Sequence, residues 1–199
     1  MNIESEEHRT SEYQWSLQDQ EDNVHKIGLN GSRIKFGGSR NTNSVIRTAE
    51  PIPHNFQSFY FEVKILECGQ DGAIGIGLTP KNQANRPGGC LPGWNSHGIA
   101  YYGQYGRIYH NSDAAVDQTD TYTTGDIVGC YLSRMKIMDI EQTIVQFTKN
   151  GSVLGPIRCI ESFQYYPTVG SASTGSVISI YGIEANFGQK KFESDILGK

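Results

Sequence analysis

The sequence has no long apolar run. No stretch approaches the roughly 18 consecutive apolar residues of a membrane-spanning helix, so a soluble chain with no membrane partner is expected. Met1 is followed by Asn-Ile-Glu-Ser-Glu-Glu, which lacks both the basic start and the apolar stretch of a secretory leader. A cytoplasmic location is expected, with the nucleus as the alternative. Cysteine is sparse: Cys68, Cys90, Cys130 and Cys159 lie far apart with no C-x-x-C pair, which excludes zinc-knuckle and dithiol redox motifs. All four are expected as reduced thiols, with Cys130 in the core. Basic charge is also lacking: 17 Lys and Arg against 21 Asp and Glu give a net charge of −4, and no basic run is present. Nucleic acid is therefore not an expected partner, because phosphate neutralisation needs a cationic footprint.

Catalytic motifs are missing too. The chain contains no G-x-S-x-G elbow, no H-E-x-x-H and no Walker loop. Gly72, Gly75 and Gly77 are spaced like a phosphate-binding fingerprint but lack its strand-to-helix setting, so they are assigned to sheet geometry. His97, His110 and Asp113 have the residue types of a proton-transfer or metal set, yet exposed loop residues explain them better, and no nucleophile accompanies them. Asp126 is read as turn chemistry before a buried strand. Asn30-Gly31-Ser32 and Asn150-Gly151-Ser152 fit the glycosylation sequon, but both are expected unmodified. No enzymatic activity, no cofactor and no metal site are expected.

What the sequence does have is short strands. Residues 1–23 are polar and acidic apart from Tyr13, Trp15 and Leu17, and read as a lead-in from which Trp15 can pack on the folded part. From residue 24 to 199 a single domain is expected, with apolar or alternating runs punctuated by Gly, Asn, Asp and Pro. The clearest alternation sets Phe59, Phe61, Val63 and Ile65 on one face against Tyr60, Glu62 and Lys64 on the other. In Ile74-Gly75-Ile76-Gly77-Leu78 bulky residues alternate with bare glycines, so another layer can approach the backbone closely. Residues 142–148 run into Lys149-Asn150-Gly151, a strong hairpin signal. Further strands are expected near 32–36, 44–48, 97–102, 106–110, 126–132, 166–170 and 177–183. With no intervening helix, an all-β, two-sheet antiparallel β-sandwich follows.

Nine segments in order resemble the SPRY domain family. They are Phe59-Tyr60-Phe61-Glu62-Val63, Ile74-Gly75-Ile76-Gly77-Leu78, Pro92-Gly93-Trp94, Gly98-Ile99-Ala100-Tyr101-Tyr102, Gly106-Arg107-Ile108-Tyr109, Gly125 to Cys130, Phe147 to Gly151, Tyr166 to Gly170 and Glu184 to Gly188. The wording of the Pro-Gly-Trp, Thr-Lys-Asn-Gly and Ala-Asn-Phe-Gly-Gln segments most resembles the branch that includes Ran-binding-protein-M-like proteins. The resemblance implies a concanavalin-like jelly roll and a non-catalytic module that binds a protein or peptide. Gln83 to Pro92 reads as a long loop, and Met135 to Glu141 as a longer connection than the family's usual tight one.

The richest candidate surface comprises Arg40, Asn41, Thr42, Asn43, the stretch from Tyr102 through Tyr105 and Tyr109 to His110, and Ser173, Thr174 and Gly175. Arg40 offers a planar fork for a carbonyl or carboxylate, and the tyrosines offer flat apolar area tipped by a hydroxyl. Trp94 is either a ligand anchor or a lid over a sheet. The resemblance implies peptide binding near Arg40 to Asn43, Tyr109 and Ser173 to Gly175, as in SPRY proteins with a SOCS box. The tryptophan common there is replaced by Ser171-Ala172-Ser173-Thr174, so the family's peptide motif is not carried over. The expected role is a partner-recruiting subunit, monomeric as an isolated domain, in an assembly such as a ubiquitin ligase. The alternative is a lectin-like carbohydrate binder that stacks a sugar on exposed Tyr.

Overall fold

The computed structural model describes residues 15–16, 24–27, 33–37, 43–81, 91–94, 98–161 and 164–186. Among them are fourteen strands. In chain order these are β1 (Trp15–Ser16), β2 (Val24–Ile27), β3 (Arg33–Phe36), β4 (Ser44–Thr48), β5 (Ser58–Glu67), β6 (Ile74–Pro80) and β7 (Ile99–Tyr102). There follow β8 (Arg107–His110), β9 (Asp117–Gln118), β10 (Ile127–Ile137), β11 (Ile140–Lys149), β12 (Ser152–Ile160), β13 (Tyr165–Ser171) and β14 (Val177–Asn186). They form two antiparallel sheets, one ordered β1-β4-β13-β6-β7-β8-β9 and the other β12-β11-β10-β5-β14-β3-β2. This is the two-sheet sandwich expected from the sequence.

The core lies between the sheets and follows the period of two. In β5, Phe59, Phe61, Val63 and Ile65 are buried, whereas Tyr60, Glu62 and Lys64 on the other face are partly exposed. From the facing sheet come Ile74, Ile76, Leu78, Ile99, Tyr101, Ile108 and Val169, all fully buried. Removing each large side chain from water contributes roughly 1.5–3 kcal/mol, so the inner faces dominate the stabilisation. The lead-in supplies Trp15, which pairs with Thr48 in β4 and is buried edge-on against Phe61 at 6.2 Å.

A second, smaller apolar cluster covers the outer face of the first sheet. Leu91, Ala100, Tyr102 and Tyr109 form it, with Val45 and Ala172 packed against them. The bare glycines of β6 admit this layer: a Cβ at Gly75 would overlap the Tyr102 ring. The Tyr102 hydroxyl donates to the Pro92 carbonyl at 2.9 Å, tying segment 91–93 over the sheet. At Gly170 a Cβ would meet Pro92 and Leu91, so the close approach recurs one strand away.

Two hairpins carry the second sheet. Asn150 and Gly151 form the β11–β12 turn with φ of 51° and 79°, as the Asn-Gly signal predicts. The stretch Met135 to Glu141 differs from expectation. It is not a long connection, because the β10–β11 ladder continues to the Ile137–Ile140 pair and closes in two residues. Met138 (φ 50°) and Asp139 (φ 63°) hold a left-handed turn that Asn-Gly usually occupies, which hid it from the sequence pattern. Of the cysteines, Cys130 is fully buried, but Cys68 is half-buried and Cys159 exposed. Burial therefore accounts for one of these three thiols. Cys90 lies outside the described residues, as does Asn30-Gly31-Ser32.

Candidate interaction site

The connections at one end of the sandwich are locked to one another through the segment 69–74. Ile74 O accepts from Gly103 N at 3.2 Å and Ala73 O from Ala172 N at 2.9 Å, while Gln70 N donates to Thr174 O at 3.2 Å. Phe36 N donates to Ser176 O at 2.9 Å and Gly175 N to Phe36 O at 3.2 Å. Turns 103–106 and 171–176 and the end of β3 are thus held by backbone bonds, so side chains that project from them stand on a fixed frame. Gly175, at φ 79°, makes the last of these bonds in a left-handed conformation that suits glycine.

Small hydroxyls complete the frame from inside. Ser171, Ser173 and Ser176 are all buried. The Ser171 and Ser176 hydroxyls lie 2.7 Å apart, Ser176 donates to Ser173 O at 2.8 Å, and Ser173 Oγ accepts from Asp71 N at 2.9 Å. Asp71 therefore joins turn 171–176 through its backbone.

Behind the turns, the Tyr122 hydroxyl donates to Ile74 O at 2.6 Å and the Tyr101 hydroxyl to Asp120 O. Burial, the larger cause, raises the pKa of both phenols above the ordinary tyrosine range, and at Tyr101 the Asp120 and Asp126 charges add to it, so they stay neutral donors. At the foot of this end, Asp126 accepts from Thr123 N at 2.9 Å and Asn150 Nδ2 at 2.8 Å, with Lys149 Nζ at 3.9 Å. Burial opposes its ionisation, but these donors and the lysine charge hold the carboxyl below its usual range. Asp126 is a turn residue, as read from the sequence.

The residues singled out in the sequence divide by exposure. Tyr105 is 51% exposed, with the Arg107 guanidinium 4.8 Å from its ring centroid and Gln104 Nε2 donating to its hydroxyl at 3.3 Å. Thr174 is exposed and Asn43 half-buried, at the end where Ser44 pairs with Ser171. Arg40, Asn41 and Thr42 lie outside the described residues, as does His97. The described flanks of the first three, Phe36 and Ser44, are bonded to turn 171–176 and paired with its first residue.

Several expectations need correction. Tyr102 and Tyr109 are not exposed contact area: both are buried in the outer-face cluster, their rings edge to face at 5.2 Å. Ser173 is buried as a bracing hydroxyl rather than offered to a ligand. Trp94 is 39% exposed and lies against Tyr109 at 5.5 Å, so it is both lid and surface. His110 faces inward. Its register opposite Ile99, two residues from Ile108, puts it on the core side, whereas Tyr109 opposite Ala100 faces out. Burial first, then the Arg158 charge, lowers its pKa and keeps it neutral, with Glu161 opposing. Sequence reasoning missed Asp71, Tyr122 and Ser176, which hold the frame; Arg107, which shares the surface with Tyr105, lay within the stretch from Tyr102 to His110 without being singled out. The Gly106-Arg107 turn was visible; its stacking on Tyr105 was not.

The profile of the SPRY domain matches residues 58–184. The chain belongs to the SPRY domain family. Among similar proteins, Ran-binding protein 9 of Xenopus laevis is 37% identical over 168 residues, covering 82% of this chain and 28% of that protein. The Ran-binding protein M homolog of Arabidopsis thaliana is 29% identical over 154 residues, covering 77% of this chain and 30% of that protein. This SPRY chain thus spans less than a third of the length of these curated relatives. The crystal structure of a human SPRY domain superposes with a TM-score of 0.65 at 25% identity, covering 79% of this chain and 96% of that one. The resemblance read from nine sequence segments and the sandwich built from them agree with this membership.

Proposed function

We propose that this SPRY domain, residues 24–199 with the Trp15 strand, is a non-catalytic module that captures a protein or peptide at the end formed by turns 103–106 and 171–176. The observation that carries the reading is the exposed Tyr105 and Arg107 pair, standing with Thr174 on loops cross-linked by backbone bonds. A preformed surface binds without the cost of ordering loops, and Tyr and Arg are the residue types that anchor interfaces. Arg40, Asn41 and Thr42, expected from the sequence as contact residues, are tested with them because Phe36 and Ser44 on either side are held to turn 171–176. In this reading the domain acts as a monomeric adaptor in the cytoplasm, presenting its partner to a larger assembly such as a ubiquitin ligase.

The test is affinity capture from a cell lysate with wild type beside a Tyr105→Ala/Arg107→Ala double variant and, separately, Arg40→Ala. Each variant should lose the captured partners while its thermal midpoint stays at the wild-type value. Undiminished capture by all variants would move the site elsewhere. Tyr109→Ala, the obvious choice from sequence, is unsuitable because it removes a buried ring.

A further inference from the structure

The opposite end of the sandwich opens between the two sheets into a pocket of about 170 Å³. Its apolar wall is Ile52, Phe56, Leu132 and Tyr165; Arg134 and Thr143 supply the polar side. Leu132 and Arg134 are consecutive inward positions of β10, and Thr143 is the register partner of Arg134 on β11. Tyr165 comes from the other sheet. Backbone bonds fix the covering segment: Ile52 N donates to Tyr165 O at 2.8 Å and Arg134 N to Gln57 O at 3.0 Å. Gln57 Nε2 returns a bond to Arg134 O at 3.2 Å. The walls are therefore in place before anything enters.

The volume suits one aromatic ring, since a cavity of about 150 Å³ lined by apolar side chains holds benzene. Arg134 supplies the cation on the lining, with the carboxylates of Glu141 and Glu161 nearby. The Arg134 guanidinium lies 4.9 Å from the Phe56 ring centroid, and its contact with the carboxylate of Glu141 is long, at 3.5 Å. The Glu141 side chain is 62% exposed, so it holds Arg134 weakly against a competing carboxylate. His54, also on the lining and exposed, adds no negative charge. A planar fork beside an apolar slot recognises a carboxylate on a short arm from a ring.

We propose that this pocket is a second binding site, distinct from the loop end, for an aromatic ring joined by a short arm to a carboxylate. A peptide presents that chemistry either as an aromatic residue at its carboxyl terminus or as an aromatic residue next to an acidic one.

The test is heteronuclear NMR of the whole chain titrated with 3-phenylpropanoate and, separately, 3-phenylpropanamide. Both should perturb the amides of Ile52, Phe56 and Thr143, and the acid should bind at least about fivefold more tightly than the amide, roughly 1 kcal/mol. Arg134→Met, which keeps an apolar arm over Phe56, should abolish that preference. Equal binding of acid and amide to wild type, perturbation confined to other residues, or no perturbation would each overturn the proposal, and none depends on the variant folding. Competition by N-acetylphenylalanine alone assigns the terminal carboxylate; competition also by N-acetyl-Phe-Glu-amide extends the site to internal acidic segments. Binding here should be unchanged by Tyr105→Ala/Arg107→Ala, so loss of the loop site and loss of this one are separable.

Discussion

The two ends of this sandwich solve the termination of strands in opposite ways. At one end, turns 69–74, 103–106 and 171–176 are bonded to one another and braced by buried serines, and the exposed side chains include Gln70, Asp71, Gln104, Tyr105, Arg107 and Thr174. At the other, β10 and β11 run past their neighbours into a free hairpin whose tip exposes Ile137, Met138 and Ile140 at 39%, 93% and 62%. Among the described residues, Arg134 is the last β10 residue tied to the segment before β5, and beyond it only β11 pairs with β10. Cross-linking many short connections yields a fixed polar and aromatic surface, whereas extending one ladder yields an apolar projection and leaves an opening at its base.

The sharpest way to break this comparison is to exchange a frame residue for a surface one. Tyr109→Ala deletes a buried ring from the outer-face cluster and should lose about 3 kcal/mol or more, whereas Tyr105→Ala should stay within about 0.5 kcal/mol of wild type. Urea denaturation of both measures the difference. A smaller effect is expected inside the loop end. Ser173→Ala leaves the Asp71 N–H without its acceptor and should cost about 1–2 kcal/mol, measured the same way, with partner capture weakened as turn 171–176 loosens.

The smallest effect concerns pH. The Asp126 carboxyl titrates below its ordinary range in the folded chain, so its contribution is present above the unfolded value and lost as pH falls through the folded one. The stability gap between wild type and Asp126→Asn should narrow on going from neutral pH to about pH 3. A gap that widened on acidification would contradict the donors assigned to that carboxylate.

The strands were legible because Phe59 to Ile65 and the Ile-Gly alternation of β6 carry the period of two without ambiguity, and because Asn150-Gly151 names its own turn. The β10–β11 turn was not, since Met138-Asp139 lacks the residues that usually mark left-handed backbone. The surface was legible only in part. Tyr102, Tyr105 and Tyr109 look alike in sequence, yet two lie under Leu91 to Gly93, a segment before β7 that folds back over the outer face of the sheet. Ser173 reads as a loop hydroxyl, and only the fold brings Asp71 to it. His110 was grouped with Tyr109 as a neighbour, although adjacent strand positions face opposite ways.

The central claim is that the loop end is a preformed frame, and residue-resolved amide hydrogen exchange tests it most directly. The amides of Asp71, Gly103, Ala172 and Gly175, each donating across the loop end, should exchange slowly beside those of Met138 and Asp139 at the free hairpin tip. Exchange at the first four as fast as at the tip would contradict a preformed surface.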